Sequence, residues 1–352
     1  MKFMGLDIGG ANTDCCIIEF DNDYNIISLS KNKYYLPFWI KHEKLPECLK
    51  ELKGSNDIDV VCVSITAELA DCYKTKRQGI IDITGMVEST FKDEDIYYVT
   101  FDGLKNYEYV NQNPLSAAAA NWIGTVNLIK HLKDTCIFMD MGTTTTDIIP
   151  IKDKHEISQG YTDTQRLMNG ELVYTGLLRT NVATIVNHVY IESNKTNVSS
   201  EYFTITADIH RILGHISEEQ YTCDTPDGAD KSIDSCKNRL TRLVCGDIET
   251  ISNETIMDMA EYIFEKQIQQ VEESLKQVVF KTGIQNVVLS DIGLGNICRI
   301  AADNLKLNVI NLNDYIPQPI VSIITTLGAI QMYLDLKDVN INILEKIYNM
   351  DK

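Results

Sequence analysis

The sequence of 352 residues is short of positive charge, with 32 Lys and Arg against 50 Asp and Glu and a net charge of −18. Nucleic acids and anionic membranes select basic protein surfaces, so neither is an expected partner. Long apolar runs are lacking as well. The nearest case, 320–334, carries a serine, two threonines and a glutamine. A membrane-spanning helix needs about 20 predominantly apolar residues, so this stretch is predicted to be a buried helix instead.

Disulfide and metal-binding patterns are also missing. The ten cysteines include no C-x-x-C pair, and Cys15 and Cys16 lie inside a strand pattern. We therefore expect reduced thiols in an intracellular, cytoplasmic protein. His210 and His215 are five residues apart, whereas two side chains on one helix face are three or four residues apart.

Short apolar strands alternate with helical patterns along the chain. Strands are predicted at 2–8, 14–20, 59–65, 96–101, 135–140, 147–151, 286–290 and 308–311. Helices are predicted at 114–131 and 255–279, in a segment that ends at 305, and from Ile320 onward. The polar segment 192–258 is expected to be mainly helical. This alternation predicts an α/β architecture.

Two strand–turn–strand segments can be superimposed on each other. They read LDIGGANTD at 6–14 and MDMGTTTTD at 139–147. Asp7 matches Asp140 and Asp14 matches Asp147, both at an offset of 133 residues. A period this long is not that of a solenoid. It predicts two related domains that face one another.

Both turns have the composition of a phosphate-binding loop. Glycine lets the backbone approach a ligand closely, and successive N–H groups form an anion-binding concavity. The leading aspartate of each loop can hold Mg²⁺, mainly through water. A single hairpin of this kind is equally compatible with a simple tight turn. Two at matching positions predict a cleft that holds a di- or triphosphate from both sides.

A third candidate element is the strand that enters GLGN at 293–296 and continues into a helix. Helix N-termini bind anions through free N–H groups and the helix dipole. Gly293, Gly295 and Asn296 are therefore candidate nucleotide-binding residues. A plain turn at the start of a helix explains the motif equally well.

Together these elements resemble the actin-like ATPase superfamily, which includes sugar kinases, heat-shock ATPases and actin. The resemblance implies two actin-like (ribonuclease H-like) α/β domains with facing phosphate-binding hairpins. The first would span 1–132 and the second 133–352, with a mainly helical insertion at about 190–258. The helix from Ile320 would pack back on the first domain.

Further segments are similar to the hydantoinase/oxoprolinase-related branch found in methanogens and methylotrophs. They are TAELAD (66–71), SAAAANW (116–122), ELVYTGLLRT (171–180), ADIHRILG (207–214) and DGADKS (227–232). In methanogens this branch is associated with methanofuran biosynthesis. The resemblance thus implies a transferase that condenses [5-(aminomethyl)furan-3-yl]methyl diphosphate with gamma-L-glutamyltyramine. The products would be an aryl ether and diphosphate.

This function assigns roles to the loop residues. Asp7 and Asp140 would hold Mg²⁺, while Asp14 and Asp147 would fix loop geometry or an outer-shell water. The remaining residues of the predicted diphosphate site are Gly9, Gly10, Asn12, Thr13, Gly142, Thr143, Thr144 and Thr146. Neither loop contains a basic residue between its two aspartates. We therefore expect backbone donors and the metal, rather than a Lys/Arg cluster, to hold the diphosphate.

The phenolic acceptor, with an ordinary pKa near 10, needs a base. Candidate bases are Glu68, Asp71, Asp224 and Asp227, each of which can instead cap a helix or build a turn. The nearby basic residues Lys76, Arg77, Arg179 and Lys231 are expected on the solvated surface.

Two other classes of protein would use the same loops. One is an ATP-dependent kinase or amidohydrolase of the hydantoinase/oxoprolinase type, and the other is a nucleotide-binding regulatory protein. The sequence departs from the superfamily's kinases, because no separate catalytic aspartate can be placed and the adenosine loop is only 293–296. These departures favour the transferase.

Overall fold

The computed structural model of the chain describes residues 1–290 and 296–350. The strands are β1 (Lys2–Ile8), β2 (Asn12–Phe20), β3 (Ile26–Tyr35), β4 (Val60–Ile65), β5 (Asp95–Thr100), β6 (Gly103–Lys105), β7 (Cys136–Met141), β8 (Thr146–Lys152), β9 (His155–Glu156), β10 (Leu172–Val173), β11 (His188–Ile191), β12 (Asn194–Asn197), β13 (Asn286–Leu289) and β14 (Asn308–Asn311).

The α-helices are α1 (Phe38–Lys41), α2 (Leu45–Lys53), α3 (Lys76–Thr90), α4 (Tyr107–Gln112), α5 (Asn121–Ile129), α6 (Asp163–Asn169), α7 (Thr206–Ile212), α8 (Ile233–Arg242), α9 (Asn253–Thr282), α10 (Ile297–Asn304), α11 (Gln318–Val321), α12 (Ile324–Leu336) and α13 (Ile343–Met350). Short 3₁₀ turns lie at His42–Lys44, Pro114–Ala117, Val182–Thr184 and Leu312–Asp314. In these parts of the chain, no helix combines the length and the apolar character that a bilayer crossing requires.

Two sheets repeat the same strand order. The first runs β3-β2-β1-β4-β5-β6 and the second β10-β8-β7-β13-β14, with β9 paired to β8. In each, an antiparallel hairpin (β1–β2 or β7–β8) is followed by parallel neighbours. The predicted α/β fold with two hairpin-opened sheets is confirmed by this topology. The domain limits 1–132 and 133–352 stay a prediction.

The first sheet is covered on both faces, because successive strand residues point to opposite sides. On one side Met4 and Val61 pack with α2 and α3, and on the other Phe3 and Val60 pack with α5 and α12. The strand β4 is buried along its whole length, as its continuous apolar sequence predicts. Each such side chain contributes roughly 1.5–3 kcal/mol on burial.

The helix α12 returns to the first sheet after the chain has built the second. A Cβ placed on Gly5 would lie 2.4 Å from the Thr326 carbonyl oxygen, so strand and helix touch through their backbones. The rings of Phe3 and Tyr333 are 5.5 Å apart. One continuous helix was expected from Ile320. The structure has two, the short α11 and then α12.

Two secondary-structure predictions were wrong. The helix expected over 114–131 is interrupted at 118–120, where Ala119 has a left-handed φ of 52°. The segment 192–258 is less helical than expected, since β12 closes a hairpin at its start and long loops separate α7 from α8. Both differences arise from tertiary packing, which overrides local propensity.

Candidate functional site

The first hairpin turn closes between β1 and β2. The Gly9 N–H donates to the Asn12 carbonyl oxygen at 2.9 Å. A Cβ on Gly9 would lie 2.9 Å from that same oxygen, so the turn requires glycine there. Gly10 has open space around it and lines a cavity.

The second hairpin repeats this bond between β7 and β8. The Gly142 N–H donates to the Thr145 carbonyl oxygen, also at 2.9 Å. The N–H groups of Gly9 and Gly142 are therefore used inside their turns. Backbone donors for a phosphate must come from the residues that follow, such as Gly10, Thr143 and Thr144.

The two leading aspartates occupy equivalent, partly buried positions. Asp7 accepts a hydrogen bond of 2.8 Å from the Ser64 hydroxyl on the parallel neighbour β4. Asp140 accepts the corresponding bond from Ser290, just beyond the parallel neighbour β13. Burial raises the pKa of Asp7 to about 7 and that of Asp140 to about 6. Two carboxylates this costly to ionise favour a cation beside them.

The trailing aspartates lie directly opposite the leading ones in the hairpin registers. Asp14 pairs with Lys33 at 3.2 Å, and Asp147 pairs with Arg166 at 2.8 Å. Both trailing aspartates are thus engaged in ion pairs, and their role in fixing loop geometry stays a prediction.

Thr13 and Thr146 are fully buried, which disagrees with a predicted role for their side chains in diphosphate binding. The Thr146 hydroxyl donates to the Thr175 carbonyl at 2.8 Å, under the hairpin and not in the cleft. The motif 171–180 lies against the second hairpin. A Cβ on Gly176 would meet the Thr144 backbone at 2.5 Å, and the Arg179 N–H donates to Thr143 at 2.9 Å.

Both hairpins line the same two cavities. One has a volume of about 810 Å³ and is lined by Gly10 and by Thr144. The other has about 520 Å³ and is lined by Asn12 and by Thr143. The predicted facing arrangement of the hairpins is therefore present, with room between them for a substrate.

The candidate bases differ in burial and in the cavity that they line. Glu68 lines the larger cavity, is only 2% exposed, and its Oε2 has no hydrogen-bond partner. Burial raises the pKa of Glu68 to about 7. Asp71, which is exposed, lines the same cavity, and exposed Asp224 lines the smaller one.

Asp227 is held in ion pairs with Arg239 at 3.1 Å and Arg242 at 2.9 Å. Partial burial acts to raise its pKa, but the Ala229 N–H and the Arg239 charge hold the pKa below its ordinary value. Arg239 also pairs with buried Asp208 at 2.8 Å. This corrects the assignment of Asp227 as a base, since its contacts are those of a residue that anchors a loop.

Basic side chains line the cleft from outside the two loops, and two of them, Lys33 and Arg166, were missed by the sequence reasoning. Arg166 and Arg179 line the larger cavity, and Lys33 and Arg179 line the smaller one. Arg179 is exposed, as expected, and its side chain also lines both cavities. Trp39, which lines both cavities, was also missed, although the chain has only two tryptophans and this rarity was a usable signal.

Only the last residue of the predicted nucleotide-binding motif 293–296 lies within the described residues. Gly293 and Gly295 lie outside the described residues, so their nucleotide-binding role stays a prediction. Asn296 has a left-handed φ of 52° immediately before α10.

A profile of the hydantoinase/oxoprolinase family matches residues 59–331, more than half of the chain. The chain belongs to the hydantoinase/oxoprolinase family. This confirms the relationship expected from the motifs that begin at 66.

Two relatives are similar over long stretches. The chain is 42% identical over 296 residues, 83% of its length and 87% of the relative's, to the (4-{4-[2-(gamma-L-glutamylamino)ethyl]phenoxymethyl}furan-2-yl)methanamine synthase of Methanocaldococcus jannaschii. It is 40% identical over 164 residues, 47% of its length and 73% of the relative's, to the protein of that name from Methanococcus vannielii. A candidate N-acetylmannosamine kinase from Listeria monocytogenes aligns over 96% of this chain and 100% of its own, with a TM-score of 0.50 and 10% identity. This last likeness concerns the fold alone.

The cleft of this hydantoinase/oxoprolinase family member fits Mg²⁺ better than a metal enclosed by side chains. Within 1–290 and 296–350, no three His, Cys, Asp or Glu side chains converge as metal ligands. Mg²⁺ typically takes one or two carboxylates, with water and phosphate oxygens completing its shell. Asp7 and Asp140, which are partly buried and raised in pKa, suit that requirement.

Proposed function

We propose that this protein is a transferase that joins a furfuryl carbon to a phenol oxygen and releases diphosphate. Its substrates would be [5-(aminomethyl)furan-3-yl]methyl diphosphate and gamma-L-glutamyltyramine. The product would be the compound in the name of the Methanocaldococcus jannaschii relative. The observation that carries the proposal is a cavity of about 810 Å³ lined by both hairpins and by buried Glu68.

The reaction breaks one bond and forms one. The bond between the furfuryl carbon and the diphosphate oxygen breaks, and the diphosphate leaves with the electron pair. The phenol oxygen forms the new bond to that carbon, and the phenol proton goes to a base on the protein. Negative charge thus develops on the leaving group and positive charge on the furan, so stabilising the leaving group is the main electrostatic task.

The hairpins would perform that task. Gly10, Asn12, Thr143 and Thr144 line the two cavities at the turns and would donate to diphosphate oxygens. Asp7 and Asp140 would hold Mg²⁺, which when bound neutralises charge on the departing oxygens. Arg166, fixed by Asp147, would add positive charge from the wall of the larger cavity.

Glu68 would be the base. Its buried Oε2 lacks a hydrogen-bond partner, and a carboxylate with a pKa of about 7 can accept a phenol proton near neutral pH. The first turn of α3 holds it in place, because a Cβ on Gly79 would lie 2.4 Å from the Glu68 carbonyl oxygen. The turn that carries Glu68 is therefore packed closely against α3.

The test is turnover with the synthetic furan diphosphate and gamma-L-glutamyltyramine in Mg²⁺. Phosphorus NMR would follow diphosphate, and mass spectrometry would follow the ether. We expect equal amounts of both products, and at least a tenfold loss of rate, about 1.4 kcal/mol or more, in Glu68→Gln. The exposed Glu51→Gln is the matched control and should keep full rate.

Calorimetry separates the alternatives. Binding of inorganic diphosphate with Mg²⁺ but not ATP supports the transferase. Micromolar affinity for ATP, together with no ether formation, would instead identify an ATP-dependent kinase or amidohydrolase, or a nucleotide-binding regulator.

A further inference from the structure

The two cavities at the hairpins share one wall. Trp39 and Arg179 line both of them, and the Arg179 guanidinium lies 6.0 Å from the Trp39 ring centroid. The Arg179 backbone N–H is bonded to Thr143 of the second hairpin, while Trp39 lies in α1, which follows β3 of the first sheet. The wall is thus built from one residue of each half of the cleft.

The smaller cavity has opposite charges along its walls. Lys33 and Arg179 give it positive charge close to the hairpins, and Asp224 gives it negative charge. Tyr35 and Tyr202 add aromatic surface. Aromatic faces attract cations, and a carboxylate attracts an ammonium. A small molecule with a diphosphate at one end and an ammonium at the other fits this pattern.

The larger cavity offers different chemistry. It contains buried Glu68, and its mouth carries two exposed side chains, Leu69 at 62% and Tyr174 at 65%. Asp163 lines the larger cavity and forms an ion pair of 2.8 Å with Lys76, so the rim of this cavity carries a positive and a negative charge. A longer molecule with an aromatic ring, a phenolic hydroxyl and a zwitterionic tail fits here.

We propose that the Trp39–Arg179 wall divides the cleft into a donor subsite and an acceptor subsite. The aminomethylfuran of the donor would occupy the smaller cavity, with its ammonium toward Asp224. The acceptor would occupy the larger cavity, with its phenol at Glu68. This assignment rests on the proposed function and adds to it which of the two cavities binds each substrate.

A matched pair of substitutions tests the assignment. Tyr174→Leu alters only the larger cavity and Tyr202→Leu only the smaller one, and both side chains are exposed. We expect Tyr174→Leu to raise KM for gamma-L-glutamyltyramine about tenfold and to change KM for the furan diphosphate less than about twofold, with the reverse for Tyr202→Leu. Phe280→Leu, on a ring 91% exposed and outside both cavities, should change neither. The assignment would be overturned if each substitution raised KM for the opposite substrate, or if both substitutions raised KM for the same substrate.

Removing the wall provides a second readout. In Trp39→Ala the cavities would merge, and water would compete with the phenol for the furfuryl carbon, giving the furan alcohol and diphosphate. We expect the ratio of alcohol to ether to rise several-fold over the wild type. An unchanged ratio would mean that Trp39 does not separate the subsites.

Binding without turnover separates failure of this inference from failure of the proposed function. If the wild type gives no ether, calorimetry with gamma-L-glutamyltyramine alone still tests the acceptor subsite. Weaker binding in Tyr174→Leu but not in Tyr202→Leu supports the assignment even then. Equal affinities in all three proteins, or no binding by the wild type, would overturn it.

Discussion

The two hairpins have the same turn and the same partly buried aspartate paired with a serine, but a different basic side chain supports each. Lys33 beside Asp14 is 59% exposed, whereas Arg166 beside Asp147 is 3% exposed and lies 4.7 Å from the Trp122 ring centroid. A surface lysine can move and is screened by salt, while a buried arginine cannot leave its partner cheaply. One side of the cleft is therefore preorganised and the other can adjust.

Removal of Mg²⁺ should have the largest effect, because both hairpins would lose the ion that their aspartates are expected to share. We expect complete loss of ether formation in excess chelator, with recovery on adding Mg²⁺. A few tenths molar KCl should reduce the rate only modestly, since Arg166 is buried and Lys33 alone is readily screened. Full turnover in chelator would contradict a role for Mg²⁺ and would mean that Lys33, Arg166 and Arg179 stabilise the departing diphosphate.

Asp7→Asn and Asp140→Asn come next. Each removes one carboxylate from the proposed Mg²⁺ site, and we expect a loss of about 10²-fold or more in kcat. The control is the exposed Asp57→Asn, with thermal unfolding measured for all three. If one of the two variants keeps its rate and its Mg²⁺ affinity, the hairpins are not functionally equivalent.

Arg166→Met should destabilise the fold much more than Lys33→Met. The first leaves Asp147 partly buried without its cation, at a cost of about 3 kcal/mol. The second removes an exposed ion pair worth less than about 1 kcal/mol. Urea unfolding of both variants measures the difference directly. Equal losses would show that burial does not distinguish the two supports.

Substitution of Glu68 should have a smaller effect on the free energy of unfolding, and this effect should depend on pH. The folded pKa of Glu68, about 7, lies above the ordinary 4.5, so the contribution of this side chain to stability is fully present below pH 4.5 and is lost as the pH rises through 7. Glu68→Gln cannot ionise. We expect the unfolding free energy of the variant, relative to wild type, to increase by about 2–3 kcal/mol between about pH 5 and pH 8. A constant difference across that range would show that Glu68 is not desolvated.

The smallest effect is expected at the first turn. Gly10→Ala should leave the melting temperature unchanged, because nothing lies within 4 Å of the added Cβ. Gly9→Ala should lower it, because its Cβ would contact the Asn12 carbonyl at 2.9 Å. Equal melting temperatures would mean that the turn rearranges freely.

Sequence patterns predicted the parts of the site that are local. The strands 2–8 and 308–311 have the expected limits, and the 133-residue offset correctly paired the hairpins, because strand alternation and turn composition depend on near neighbours. Arg166, Trp39 and Arg179 could not be placed in this way. They reach the cleft through α6, α1 and the segment after β10, whose positions depend on how the sheets pack.

The break at Ala119 has the same origin. The sequence of alanines around it favours helix, but the segment 118–120 turns away between a 3₁₀ turn and α5, and Ala119 lines the larger cavity. Local propensity favours the helix by only tenths of a kcal/mol per residue, which packing readily overcomes.

The packing of α12 determines when the first sheet can be completed during protein synthesis. Phe3 and Gly5 emerge from the ribosome early, but Thr326 and Tyr333, which cover them, follow more than three hundred residues later. Until then one apolar face of the nascent sheet stays uncovered and exposed to misassociation. The first sheet therefore completes its apolar packing only when α12 is added, and a movement that widens the cleft would carry α12 along with the first sheet.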